Sequence, residues 1–139
     1  MVYRASLLLA VVFAAFVCVA EAEAMKSSIA NGRAIFQTGR DLHGTPIRAT
    51  RPPLRPSCAA CHGMNGAGGV HVGGAVSADL RHASLVTHMK HPYTLALIER
   101  AIAKGIDSDG QALSPVMPRW QMSAADLHDV AEYVFTQLK

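Results

Sequence analysis

The sequence predicts an all-α chain of about three main helices, with loops free to wrap a bound group. In three segments apolar residues recur at spacings of three and four, and no period-two alternation persists between them. The third observation is the pentapeptide Cys58-Ala59-Ala60-Cys61-His62. C-x-x-C-H is the attachment signature of a c-type haem. A chain of 139 residues builds one domain with a thin core, and a large flat apolar group would fill its centre.

Residues 1–24 read as a secretory signal. Met1 to Arg4 is a short basic start, Ala5 to Ala20 an uncharged apolar run, and Ala22-Glu23-Ala24 a small-x-small cleavage pattern. The run is short for a membrane span, which takes ~20 apolar residues. Membrane attachment is expected only if this segment stays uncleaved. Cys18 would leave with the signal. The expected domain is 25–139, exported to a periplasm-like compartment.

The first helix is expected over residues 28–38, capped by Ser27 or Ser28. Ile29, Gly32, Ile35 and Phe36 share one face. Gly39 is a plausible stop. Glycine inside a helix costs up to ~1 kcal/mol, so Gly32 suggests close approach by another backbone. Residues 40–57 form a long basic connection. Pro46, Pro52, Pro53 and Pro56 forbid regular helix there, and Arg40, Arg48, Arg51 and Arg55 make it positive. Its length exceeds the ~12–15 residues beyond which loops become uncommon. A functional loop and a solvated, semi-rigid linker both account for it.

Gly63 to Gly74 is a glycine-rich turn region whose backbone could pass close to a flat ligand. It lacks the strand-turn-helix context of a phosphate loop. The second helix is expected over 93–104 after Pro92, with Leu95, Leu97, Ile98, Ala101 and Ile102 on its apolar face and Gly105 ending it. Asp107-Ser108-Asp109-Gly110 reads as a turn; the distal bidentate Glu of a calcium loop is missing. The third helix begins at Ser123. Ser123-Ala124-Ala125-Asp126 is an N-terminal cap signature, and Leu127, Val130, Ala131, Val134 and Leu138 follow at helical spacing.

The cysteine motif has competing readings. A thioredoxin-like dithiol needs a βαβ context, and the flanks here are Pro-rich and Gly-rich. A structural zinc site needs about four ligands, and there is no second C-x-x-C. A disulfide across so small a loop would constrain the unfolded chain little. In a haem site each of these side chains has a chemical role. Cys58 and Cys61 form thioethers to the vinyl groups, and His62 binds the iron as proximal ligand. Attachment requires the thiols reduced in an oxidising compartment, which implies dedicated maturation machinery.

The sixth ligand is open on residue grounds. Met25, Met64, Met89, Met117 and Met122 are candidates, and so are His43, His71, His82, His88, His91 and His128. Met64 is too close to the attachment site to reach the opposite face. Met117 stands between Pro115 and Pro118, which stiffen an extended loop; filling a core gap is what most methionines do. His82, His88 and His91 cluster in sequence and read as a solvated surface or a metal group.

Taken together, Gly32 and Phe36 on the first helix, Cys58 to Gly63, Met117-Pro118 and Tyr133 on the last helix resemble the class I cytochrome c family. The resemblance covers nearly all of 25–139. It implies a cytochrome c-like fold around one haem c, with the first and last helices crossing at Gly32. It implies Met117 as the sixth ligand and Trp120 near a propionate. Leu97 through Trp120 resembles cytochrome subunits and domains that serve periplasmic dehydrogenases. The long connection before Cys58 departs from the pattern.

The expected function is one-electron carriage by a periplasmic monohaem cytochrome, not catalysis. Its partners would be redox proteins, a dehydrogenase or an oxidase, met through Arg48, Arg51, Arg55, Lys104 and Arg119. Net charge +3 and 6% aromatic residues argue against nucleic acid. The alternatives are a haem enzyme or gas sensor with an open sixth site, using His82 or His91 with Arg81 or Arg100, and an obligate subunit of a dehydrogenase or oxidase complex.

Overall fold

Helix α1 occupies residues 21–38 in the computed structural model, which describes residues 21–51 and 55–139. The expected signal segment therefore lies outside the described residues up to position 20. Ser27 and Ser28 do not cap this helix, because it is already continuous from 21. Ser28 instead faces the last helix. Its hydroxyl lies within hydrogen-bond reach of the carboxylates of Asp129 and Glu132. Asn31 Nδ2 donates to Asp126 at 2.9 Å and to Asp129 at 2.8 Å.

Over residues 40–51 the segment that follows is a strap tied down by a turn and a short strand, with most of its side chains exposed. Asp41 Oδ1 accepts the backbone N–H groups of His43 and Thr45, the local turn that an Asp side chain favours. Strand β1 (Arg48–Ala49) then pairs antiparallel with β4 (Trp120–Gln121), Ala49 opposite Trp120. Residues 52–54 lie outside the described residues. The short helix α2 (Ala59–His62) carries the end of the cysteine motif. A small hairpin follows, β2 (His71–Val72) with β3 (Ala75–Val76). These two-residue ladders are the described strands, and they are too short to leave an alternation in the sequence.

A π-helical turn spans Ala83–Thr87 and buries Leu85. It was not expected, and it lacks the caps and the length that sequence reading relies on. Helix α3 (Leu95–Lys104) starts two residues later than expected, because the Thr94 side chain accepts the N–H of Leu97 as its cap. Gly105 closes it in the left-handed conformation, φ 66°. Helix α4 (Ala124–Gln137) has the expected cap, Ser123 accepting from the Asp126 N–H. No described helix is long and apolar enough to cross a membrane.

The core is where α1, α3 and α4 meet. Ile35, Phe36 and Val130 are fully buried, and Ile98, Ile102 and Val134 pack with them. The α1–α4 crossing runs through Gly32, where a methyl would come within 2.6 Å of the Asp129 carbonyl carbon. Beside it Phe36 and Tyr133 pack as a tilted pair with ring centroids 5.5 Å apart and planes at 50°. The family-like expectation of a glycine crossing flanked by two aromatics is met.

Candidate functional site

Beneath this three-helix core lies an apolar cavity of about 320 Å³, partly open to solvent. Cys58, Cys61 and His62 form one wall. Val72 and residues 75–80 from the hairpin and its exit form the next. Ser84, Leu85 and Met89 close a third side, and Ile98, Ala101 and Ile102 of α3 give the floor, with Val130 and Val134 of α4 beside them. Met117, Pro118 and Trp120 also line the cavity, and so do Phe36, Arg55 and Tyr93. Its walls are almost entirely apolar and partly wet, so an apolar occupant would take that surface out of water.

The donor set suits haem. His62 Nδ1 is 2.8 Å from the carbonyl oxygen of Ala78. A carbonyl only accepts, so Nδ1 carries the proton and Nε2 keeps its lone pair for a metal. Burial pushes the His62 pKa down, against the raising effect of that hydrogen bond, and favours the neutral ring. Burial also pushes the Cys58 thiol up to about 12 and raises that of Cys61, where Arg55 opposes it. Both thiols are therefore kept protonated and weakly nucleophilic, which fits an attachment step that needs assistance.

The segment that holds Ala78 is itself fixed. The Ser77 hydroxyl donates to the Cys61 carbonyl at 2.7 Å, and Gly68 N–H donates to the His62 carbonyl at 2.8 Å. Asp79 takes a forked bond from Arg81, 3.0 Å from Nε and 2.6 Å from Nη2. That bond holds its carboxyl well below the usual carboxylate range. Of the glycine-rich region 63–74, Val72 lines the cavity and the glycines do not. Its crowded members press on protein: Gly66 on Leu138 and Gly68 on Ala78. The glycines free the path of the chain that supports His62.

Met117 is brought to the cavity, but on a tight turn and not an extended loop. Its N–H donates to the Ser114 carbonyl at 3.1 Å, and Pro115 takes the second position of the turn, where its fixed φ is favoured. Met89 also lines the cavity. Met25 and Met64 are exposed, and Met122 packs against the core. Of the seven histidines, only His62 lines the cavity. His82 Nδ1 bonds the Phe135 carbonyl at 3.0 Å, His91 pairs with Asp109, and His128 with Glu99. The histidines 82, 88 and 91 do not gather as a metal group among the described residues. Arg81 is held by Asp79 and Arg100 donates to the Asp107 carbonyl, so neither forms a distal pair with a histidine. Trp120, 6% exposed, lines the cavity as it pairs with the strap.

The family model for cytochrome c matches residues 29–137. The chain belongs to the cytochrome c family. Neither a curated protein nor a solved structure matches it. The cytochrome is an all-α electron-transfer protein that carries covalently bound haem c, and Cys58 and Cys61 stand ready as its thiol pair. The residues that sequence reasoning missed are Ala78, the acceptor under His62, and the Ala83–Thr87 turn that brings Ser84 and Leu85 to the cavity. Neither has a side-chain signature: Ala78 acts through its carbonyl, and a π-turn has no period of its own.

Proposed function

We propose that this cytochrome is a periplasmic monohaem electron carrier with axial ligands His62 and Met117. The observation that carries the reading is that one apolar cavity is lined by Cys58, Cys61 and His62 of the C-x-x-C-H motif together with Met117, with no second histidine in the lining. A single C-x-x-C-H supports one haem. The signal-like 1–24 segment supports export. When bound, haem supplies a ferric/ferrous couple, and a thioether ligand favours the ferrous state. The chain's own part is to hold the Nδ1 proton on the Ala78 carbonyl, to keep water from the cavity walls, and to present Met117. Trp120 is proposed to lie near a propionate.

Absorption spectra of holoprotein test the ligation. The wild type is expected to show a ferric sulfur-to-iron charge-transfer band, and reduced protein is expected to bind carbon monoxide negligibly. Met117→Ala is expected to lose the band and to bind carbon monoxide, while Met89→Ala keeps wild-type spectra. A high-spin ferric wild type with fast carbon monoxide binding would support the open-site reading instead. Loss of the band in Met89→Ala alone would move the ligand to Met89.

The partners proposed are a dehydrogenase or oxidase with an acidic face. Arg55 is exposed and lies at the cavity lining, and Arg48 and Arg51 precede it on the strap. Replacing all three by Gln is expected to slow reduction by an acidic redox partner about tenfold at low salt, with the difference vanishing at high salt. Equal rates at every ionic strength would remove the strap from the docking surface.

A further inference from the structure

We infer that Arg119 is a positioning residue that locks the Met117 turn in place. The inference rests on the reading of Met117 as an iron ligand. Arg119 Nη1 donates to the Met117 carbonyl at 2.6 Å and to the Ser114 carbonyl at 3.3 Å, and Nη2 donates to the Leu113 carbonyl at 2.9 Å. One planar fork thus gathers the carbonyls of both ends of the turn and of the residue before it. A guanidinium can do this and an ammonium cannot.

The clamp is anchored below and beside. Arg119 lies over Gly105 at the C-terminus of α3, so close that a methyl there would fall within 2.5 Å of Arg119 Cδ. A side chain at Gly105 is excluded both by that contact and by φ 66°. The helix C-terminus carries partial negative charge and favours a cation. Gly105 also accepts the Leu113 N–H at 2.8 Å, and Arg119 accepts the Thr50 N–H at 3.0 Å through its own carbonyl. The turn is therefore tied to α3 on one side and to the strap on the other, with Arg119 as the knot. Its guanidinium is held on these carbonyls, and because they are neutral it keeps its positive charge.

An outside ligand reaches the sixth position by displacing the thioether, which requires the turn to swing. The test is imidazole titration of ferric holoprotein, followed by loss of the charge-transfer band. The proteins are wild type, Arg119→Gln, Arg119→Lys and the charge control Arg33→Gln, an exposed site on α1. Arg119→Gln is expected to reach half-displacement at about tenfold lower imidazole, because three carbonyl bonds to a charged donor are removed. The Lys variant falls between, and Arg33→Gln matches wild type. Wild-type imidazole affinity in Arg119→Gln, at temperatures below its melting, would overturn the clamp even if its stability had dropped. If Arg119→Gln does not accumulate with haem, Arg119→Lys decides. A gain of about threefold or more supports the clamp, and no gain overturns it. Absence of the band in wild type, with Met117→Ala indistinguishable from it, would instead bring down the ligation reading and the clamp together.

Discussion

Gly32→Ala is expected to destabilise the holoprotein by about 3 kcal/mol or more, or to prevent it from accumulating. Two effects compete. Alanine is the better helix former, worth up to ~1 kcal/mol in an open helix. Here the added methyl would sit 2.6 Å from the Asp129 carbonyl carbon and 2.8 Å from Tyr133 Cβ. The obstacle is backbone and cannot rotate away. The helices would have to part, which separates Phe36 from Tyr133 and stretches the bonds from Ser28 and Asn31 to Asp129. Overpacking wins. Denaturant unfolding of the holoprotein checks it, with Ala30→Gly as an exposed site on the same helix expected to cost ~1 kcal/mol. A Gly32→Ala protein as stable as wild type, or more so, would mean that α1 and α4 do not cross there.

Gly68→Ala is expected to disturb the iron site more than any other substitution outside the lining. Gly68 has φ +66°, and its methyl would lie 2.5 Å from the Ala78 carbonyl carbon and 2.7 Å from the Asp79 nitrogen. Strain alone costs about 1–2 kcal/mol in the left-handed region. The larger consequence is that Ala78 must move, and with it the acceptor of the His62 Nδ1–H. Losing such a partner weakens metal binding by about 10–100-fold in other proteins. It also makes the imidazole a poorer donor, which favours ferrous iron, so the midpoint potential is expected to rise. Gly69→Ala is the control: φ +78°, with nothing within 4 Å of the methyl. It carries the strain without the collision and is expected to keep the wild-type potential. A redox titration in which Gly68→Ala and Gly69→Ala agree would show that Ala78 does not govern the site.

Much of this was legible before the fold. The cap at Ser123, the stop at Gly105 and the apolar stripes of α3 and α4 are local rules, written in neighbouring residues. Cys58, Cys61 and His62 are legible because their chemistry demands fixed spacing. Gly32 was readable as a close approach because a mid-helix glycine is costly without a reason. The strap stayed open, since its prolines and arginines suit a functional loop and a solvated linker alike, and only β4, over seventy residues later, turns part of it into a strand. The Met117 turn was expected to be extended, because Pro115 and Pro118 exclude helix without choosing between a turn and an open loop.

By itself, then, the sequence determined the helices, the haem-attachment chemistry and a short set of candidate ligands, because each depends on residues near one another in the chain. The tertiary structure decided what depends on residues far apart. It put Met117 and Met89, and none of the remaining histidines, on the cavity wall. It chose Ala78 to hold the proton of His62, and it turned Arg119 inward onto the carbonyls around Met117. A backbone carbonyl has no sequence signature, and the direction of a side chain follows from what packs against it. Those contacts exist only once the chain has closed around its centre.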